Sequence, residues 1–288
     1  MSSGDESLVP LVSFVSTSGA RWGMAGGADF TGDLLPDGLA FVDRSGDLDE
    51  AMVIPGSAGL GGPTYDVVTL SPPQTSEAGF PSARLQGDFD GDGLCEAVLG
   101  NPDLGGGVYI YSLNEGATAA ASITGGATDR VGGGIDALGD VTGDGLDDLI
   151  VEGGDAGSTV RLFAGPVHGL VSFDEGTLVA QSDYPVSLEE CGDLSHDGRD
   201  DLCLLGVPDG DEWELSILFD VGVGSSTLPE GAASTVSLGP TEYPSPRVAG
   251  GDVDYDGQAE LFVSIPSRQG VISVEEGQYT YHGVIGIF

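Results

Sequence analysis

Residues 87–96 read GDFDGDGLCE, with carboxylates at Asp88, Asp90, Asp92 and Glu96 spaced around glycines. Four further stretches keep the same register: 28–37 ADFTGDLLPD, 139–148 GDVTGDGLDD, 192–201 GDLSHDGRDD and 251–260 GDVDYDGQAE. Counting the first aspartate as position 1, that position holds Asp29, Asp88, Asp140, Asp193 and Asp252. Position 3 holds Thr31, Asp90, Thr142, Ser195 and Asp254, and position 5 holds Asp33, Asp92, Asp144, Asp197 and Asp256. Position 9 holds Asp37, Glu96, Asp148, Asp201 and Glu260. Position 6 is glycine in four copies and Leu34 in the first. The first aspartates lie 59, 52, 53 and 59 residues apart, the size of one repeated supersecondary unit.

Oxygen-bearing side chains at 1, 3, 5 and 9 suit calcium, which takes six to eight oxygens at ~2.3–2.6 Å. The carbonyl of position 7 completes such a shell, so the residue there is free to vary: Leu35, Leu94, Leu146, Arg199 and Gln258. Up to five Ca2+ ions are therefore expected. The competing reading is a set of acidic Asx-turns with no ion. An EF-hand is excluded, because it needs a bidentate Glu at position 12 on an exiting helix. Here position 12 is Ala40, Leu99, Val151, Leu204 and Val263, and the residues after each loop are strand-like.

Composition narrows the partners. The 288-residue chain carries a formal charge of −39, with eight arginines as its whole basic complement. Such a surface repels nucleic acid and anionic membranes and attracts cations. No apolar run reaches the ~18 residues that span a bilayer, so no membrane insertion is expected. The 50 glycines and 16 prolines lack a three-residue period and mark turns. MSSGDESLVP shows no signal peptide, so the chain reads as cytosolic or as a domain cut from a longer exported protein.

Each loop sits between two strands of a longer unit. Third strands are expected at 51–54, 108–111, 160–163, 215–219 and 284–288, and fourth strands at 65–70, 119–123, 177–180 and 234–238. The fifth unit ends after its third strand, and 8–16 LVPLVSFVS is a spare strand that could supply its fourth. The expected fold is all-β: a single β-propeller of five four-stranded blades over 17–70, 71–124, 125–180, 181–239 and 240–288, closed by 8–16.

The units resemble the FG-GAP repeats of integrin-α-type β-propellers, through D-x-[DTS]-x-D-G-x-x-[DE] after the first strand and a G-x-P-like turn after the next. The resemblance covers nearly the whole chain. It implies calcium in each loop between the first two strands, with positions 1, 3, 5 and 9 and the carbonyl of 7 as ligands. The departure is the count, five units against seven: either five blades close by themselves or the chain is part of a larger ring, and the spare strand 8–16, which complements the short fifth unit, favours five.

The resemblance further implies a non-catalytic extracellular or cell-surface binding or adhesion module. Calcium would stiffen one face and a protein or glycan ligand would meet the other. An accessory domain of a larger surface protein or enzyme is the alternative, and a propeller hydrolase or lyase is a third reading. Candidate ligand contacts on the other face are Arg130, Trp213, Tyr243, Arg268, Tyr279 and Tyr281. Tyr279 and Tyr281 read equally as an extra hairpin packed on the disc. Ser195-His196-Asp197 is no triad by adjacency alone. Cys191 and Cys203 bracket loop 4 either as a disulfide or as two buried thiols.

Overall fold

The computed structural model describes residues 21–43, 50–56, 68–70, 82–102, 106–113, 119–208, 210–219, 221, 226–228, 231–232, 234–241, 245–251, 259–265, 270–274, 277–281 and 284–287. The expected closing strand 8–16, Tyr243, Arg268, and Asp252, Asp254, Asp256 and Gln258 of loop 5 lie outside them.

The described residues are all-β and fall into successive antiparallel sheets. The first is β1 (Arg21–Gly26), β2 (Gly38–Asp43), β3 (Glu50–Ile54) and β4 (Val68–Leu70), paired in chain order. The second repeats that order with β5 (Ser82–Leu85), β6 (Ala97–Asn101), β7 (Gly107–Tyr111) and β8 (Ala121–Thr124). The third uses β9 (Ile135–Ala137), β10 (Leu149–Gly153) and β11 (Thr159–Phe163). The chain then makes β12 (Gly169–Ser172) before the fourth strand β13 (Thr177–Gln181). The fourth sheet holds β14 (Val186–Glu190), β15 (Leu202–Gly206) and β16 (Glu212–Leu218), then, after β17 (Ser226–Thr227), β18 (Ser234–Pro240). The fifth has β19 (Arg247–Gly251) and β20 (Glu260–Ile265), a separate hairpin of β21 (Gly270–Val274) and β22 (Gly277–Tyr281), then β23 (Val284–Ile287).

β12 and β17 were not expected from sequence. Each leaves its own sheet's third-to-fourth connection and pairs in parallel with the last strand of the preceding sheet, β12 on β8 and β17 on β13. An edge strand with unpaired backbone groups invites association, and covering it removes that hazard. β12 (GLVS) has only two apolar residues and β17 (Ser-Thr) has none, so both lack the hydrophobic pattern that flags a strand.

The sheets stack face to face in chain order. Successive residues of a strand point to opposite faces, so each middle sheet feeds two cores. On β6, Leu99 packs with Leu39, Val53 and Tyr109, while Val98 packs with Ile135, Leu149 and Val151. On β10, Ile150 turns the other way, toward Val186, Leu202 and Leu204. On β15, Cys203 and Leu205 join Val248, Leu261 and Val263. Burial on both faces explains why β6, β10 and β15 are buried throughout and open with the continuous apolar runs Ala97–Leu99, Leu149–Val151 and Leu202–Leu205 rather than alternating. Each fully buried Leu or Ile contributes about 1.5–3 kcal/mol.

The first strands β1, β5, β9, β14 and β19 are each adjacent to the next. A polar cleft of about 220 Å³ is lined by Gln86 of the second sheet, Asp136 and Ala137 of the third, Cys191 and Gly192 of the fourth, and Gly250 of the fifth. Residues of four sheets thus meet around one space beside their adjacent first strands. There Arg84 Nε pairs with Asp136 at 3.3 Å, and Gln86 donates to the same carboxylate oxygen at 3.2 Å.

Candidate metal centres

The acidic stretches connect the first and second strands of their sheets, as expected from sequence. Loops 1 to 4 share one hydrogen-bond scheme. The position 1 carboxylate gathers the N–H groups of the following turn: Asp29 accepts from Gly32 (2.7 Å) and Leu34 (2.8 Å), and Asp88 from Gly91 (2.7 Å) and Gly93 (2.9 Å). Asp140 accepts from Gly143 (2.6 Å) and Gly145 (2.8 Å), and Asp193 from Asp197 (3.1 Å) and Gly198 (2.8 Å). One oxygen of position 5 accepts the N–H of position 7 in Asp33, Asp92, Asp144 and Asp197, at 2.8–2.9 Å.

Position 9 is buried in all four loops: Asp37, Glu96, Asp148 and Asp201. Its N–H closes the loop on the carbonyl before position 1, as in Glu96 to Gly87 (2.9 Å) and Asp148 to Gly139 (2.9 Å). Its carboxylate accepts a main-chain N–H from position 2 or 3: Phe30 and Thr31 to Asp37, Phe89 to Glu96, Thr142 to Asp148, and Ser195 to Asp201. Of the expected ligand positions in loop 5 only Glu260 is described, at the head of β20 opposite Gly251.

These bonds leave oxygens to spare. Thr31 Oγ1, Glu96 Oε1 and Ser195 Oγ are buried without a hydrogen-bond partner, each at a predicted ligand position of a different loop. Buried polar atoms in that state carry a desolvation penalty of about 1–3 kcal/mol, which an ion would remove. Oxygens of Asp88, Asp90 and Glu96 lie within 4.8 Å of one another, close enough to share a cation. The residues present therefore fit calcium. Electrostatics point the same way. Burial pushes Glu96 up to about 8; the Phe89 N–H opposes this, while Asp90, Asp92 and Asp88 add to it. Burial likewise raises Asp148 and Asp201.

Two departures from glycine are visible in the backbone. Positions 4 and 6 take left-handed conformations, with φ of 81° at Gly91 and 87° at Gly93. Leu34 (φ 67°) stands at position 6 of loop 1 and His196 (φ 62°) at position 4 of loop 4, where side chains are disfavoured. The Ser195-His196-Asp197 string does not assemble: Ser195 Oγ makes no hydrogen bond and His196 is exposed.

Sequence reasoning missed position 2. Phe30 and Phe89 are fully buried and Val141 nearly so, anchoring each loop to the core between sheets. The signal was present, since position 2 is apolar in every copy. Of the two readings for the cysteines, the structure joins Cys191 and Cys203 in a disulfide, with Cα atoms 5.9 Å apart, across the base of loop 4. Cys95 is buried and free, and burial pushes its thiol up to about 12.

Among the expected ligand contacts, Trp213 borders a cleft of about 280 Å³ with Pro208, Asp211, Glu212, Glu214 and Ser237, built from the connection between the second and third strands of its sheet and from the third and fourth strands β16 and β18. Arg130 is exposed, has φ 45°, and is not among the residues lining that cleft. Tyr279 and Tyr281 lie on β22 of the separate hairpin. No protein-family model and no curated protein matches the chain. Among the described residues, no helix is long and apolar enough to cross a membrane.

Proposed function

We propose that the chain is a calcium-stabilised β-propeller of five blades, of the FG-GAP repeat kind, serving as a non-catalytic extracellular binding or adhesion module. The observation that carries this reading is the buried, partnerless Glu96 Oε1 beside Asp88 and Asp90, inside a loop scheme that recurs sheet after sheet. Calcium would be held by the side chains of positions 1, 3, 5 and 9 with the carbonyl of 7. It would supply charge neutralisation that pins the first-to-second-strand turns. Sheets stacked in chain order with their first strands side by side support the propeller; the closing strand at 8–16 rests on the sequence reading alone.

A non-catalytic role is supported by the fate of the acidic groups. Most loop carboxylates are committed to main-chain N–H groups and, on this reading, to the ion. In the axial cleft Asp136 is held by Arg84 and Gln86, which suits a structural carboxylate better than a catalytic acid. The surface left for a protein or glycan ligand is the face away from the acidic loops, where the Trp213 cleft offers an aromatic anchor.

The test is calcium removal. Metal analysis of the purified chain should find up to five calcium ions, and a chelator should lower the melting temperature. A chain that holds no calcium and melts identically with and without chelator would end the calcium reading. A glycan and protein array probed with and without calcium then tests the binding role.

A further inference from the structure

Adjacent acidic loops are stitched together by the peptide after position 7. The N–H of Cys95, position 8 of loop 2, donates to the carbonyl of Asp29, position 1 of loop 1, at 3.1 Å. The N–H of Asp147, position 8 of loop 3, donates to the carbonyl of Asp88, position 1 of loop 2, at 3.2 Å. A return bond doubles the second joint, from the Asp88 N–H to the Asp147 carboxylate at 2.8 Å. The joints are also close-packed. A Cβ on Gly32 would meet Leu94 Cδ2 at 3.3 Å, and one on Gly91 would meet Leu146 Cδ2 at 3.0 Å.

The N–H of position 8 and the carbonyl of position 7 belong to one rigid peptide group. On the calcium reading that carbonyl is a ligand of its own loop's ion. The same peptide thus serves the ion of one loop and the main chain of position 1 in the loop before. We propose that calcium sites in neighbouring loops bind cooperatively through these peptides, Leu94–Cys95 between sites 1 and 2 and Leu146–Asp147 between sites 2 and 3. This inference rests on the calcium reading.

The physics is polarisation. A cation on a peptide oxygen makes that peptide's N–H a stronger donor, and hydrogen bonds in series strengthen one another. The stronger bond holds the main chain of Asp29 or Asp88, whose carboxylates serve the preceding site. Coupling free energies are reciprocal, so occupancy of the preceding site equally favours the following one. That loop 2 takes a ligand at all is indicated independently by Glu96, which is 1% exposed with Oε1 unpartnered. Loop 1 marks where the relay stops: its position 8 is Pro36, which has no N–H to give.

The experiment titrates the full chain with calcium and tracks the amide signals of Gly93 and Gly145 by NMR. Those amides donate to Asp88 and Asp140 at 2.9 and 2.8 Å, so they report loops 2 and 3 separately. Asp144→Ala, which removes a ligand of site 3, should weaken site 2 about fivefold, the low end of measured couplings. In an Asp147→Pro background, which copies Leu35–Pro36 of loop 1, Asp144→Ala should leave site 2 unchanged. The first joint repeats the cycle with Asp33→Ala and Cys95→Pro. If a proline variant fails to fold, the first comparison decides alone. Unchanged site 2 affinity in Asp144→Ala overturns the coupling, as does weakening that persists in the Asp147→Pro background. Calcium that moves neither amide in the wild-type chain overturns the calcium reading as well.

Discussion

Replacing Glu96 by glutamine should stabilise the chain without calcium and destabilise it, relative to wild type, with saturating calcium. Glu96 is 1% exposed and stands beside Asp88 and Asp90. Its pKa is pushed up to about 8 from an ordinary 4.5, mainly by burial. A folded pKa above the unfolded one means the folded chain holds the proton more tightly. This group therefore supports folding fully below about pH 4.5, and that support is lost as pH rises toward 8. At ~1.4 kcal/mol per pH unit, the loss at pH 7 is about 3 kcal/mol. Glutamine carries no charge, accepts the Phe89 N–H as the carboxylate does, and offers its NH₂ to the neighbouring aspartates. In chelator at pH 7 the variant should gain about 3 kcal/mol in urea unfolding, and the gain should vanish near pH 4. Calcium at ~1,000 times Kd adds about 4 kcal/mol to wild type at this site, and the variant forgoes it, so the ranking reverses. A variant less stable than wild type in chelator, or a gap that calcium does not change, would refute the reasoning.

Three further outcomes rest on single features. Calcium binding to loop 2 must expel the proton of Glu96, so affinity should rise with pH up to about 8; calorimetry in buffers of different ionisation enthalpy should register proton release that Glu96→Gln abolishes. Leu34→Gly should raise the melting temperature, because Leu34 is 89% exposed at φ 67° and relief of about 1–2 kcal/mol outweighs glycine's entropy of about 0.5–1 kcal/mol; a lowered melting temperature counts against the strain. Reducing Cys191–Cys203, which closes a separation of 12 residues, should lower stability by about 3 kcal/mol; thiol titration in denaturant should find one reactive group before reduction and three after.

The sequence alone determined the repeat, the register of its oxygen-bearing side chains and the strand after each loop. Those are local facts: alternating carboxylates around glycines dictate a turn, and Leu99 or Val151 at position 12 rules out the helical alternative before any contact is known. It also carried the third strands, because Val108–Tyr111 is an unbroken run of aromatic and β-branched residues and Val160–Phe163 is an apolar run interrupted only at Arg161. Tertiary structure alone decided which face each apolar residue serves, since Val98 and Leu99 look alike in sequence and differ only in the neighbouring sheet they meet. It alone revealed β12 and β17, whose strand state comes from a partner edge rather than from their own residues. It decided the pairing of Cys191 with Cys203, which depends on a distance across the loop base. And it turned isolated acidic loops into linked ones: the bond from Cys95 to Asp29 joins residues 66 positions apart, and only the packing of one sheet on the next brings them within reach.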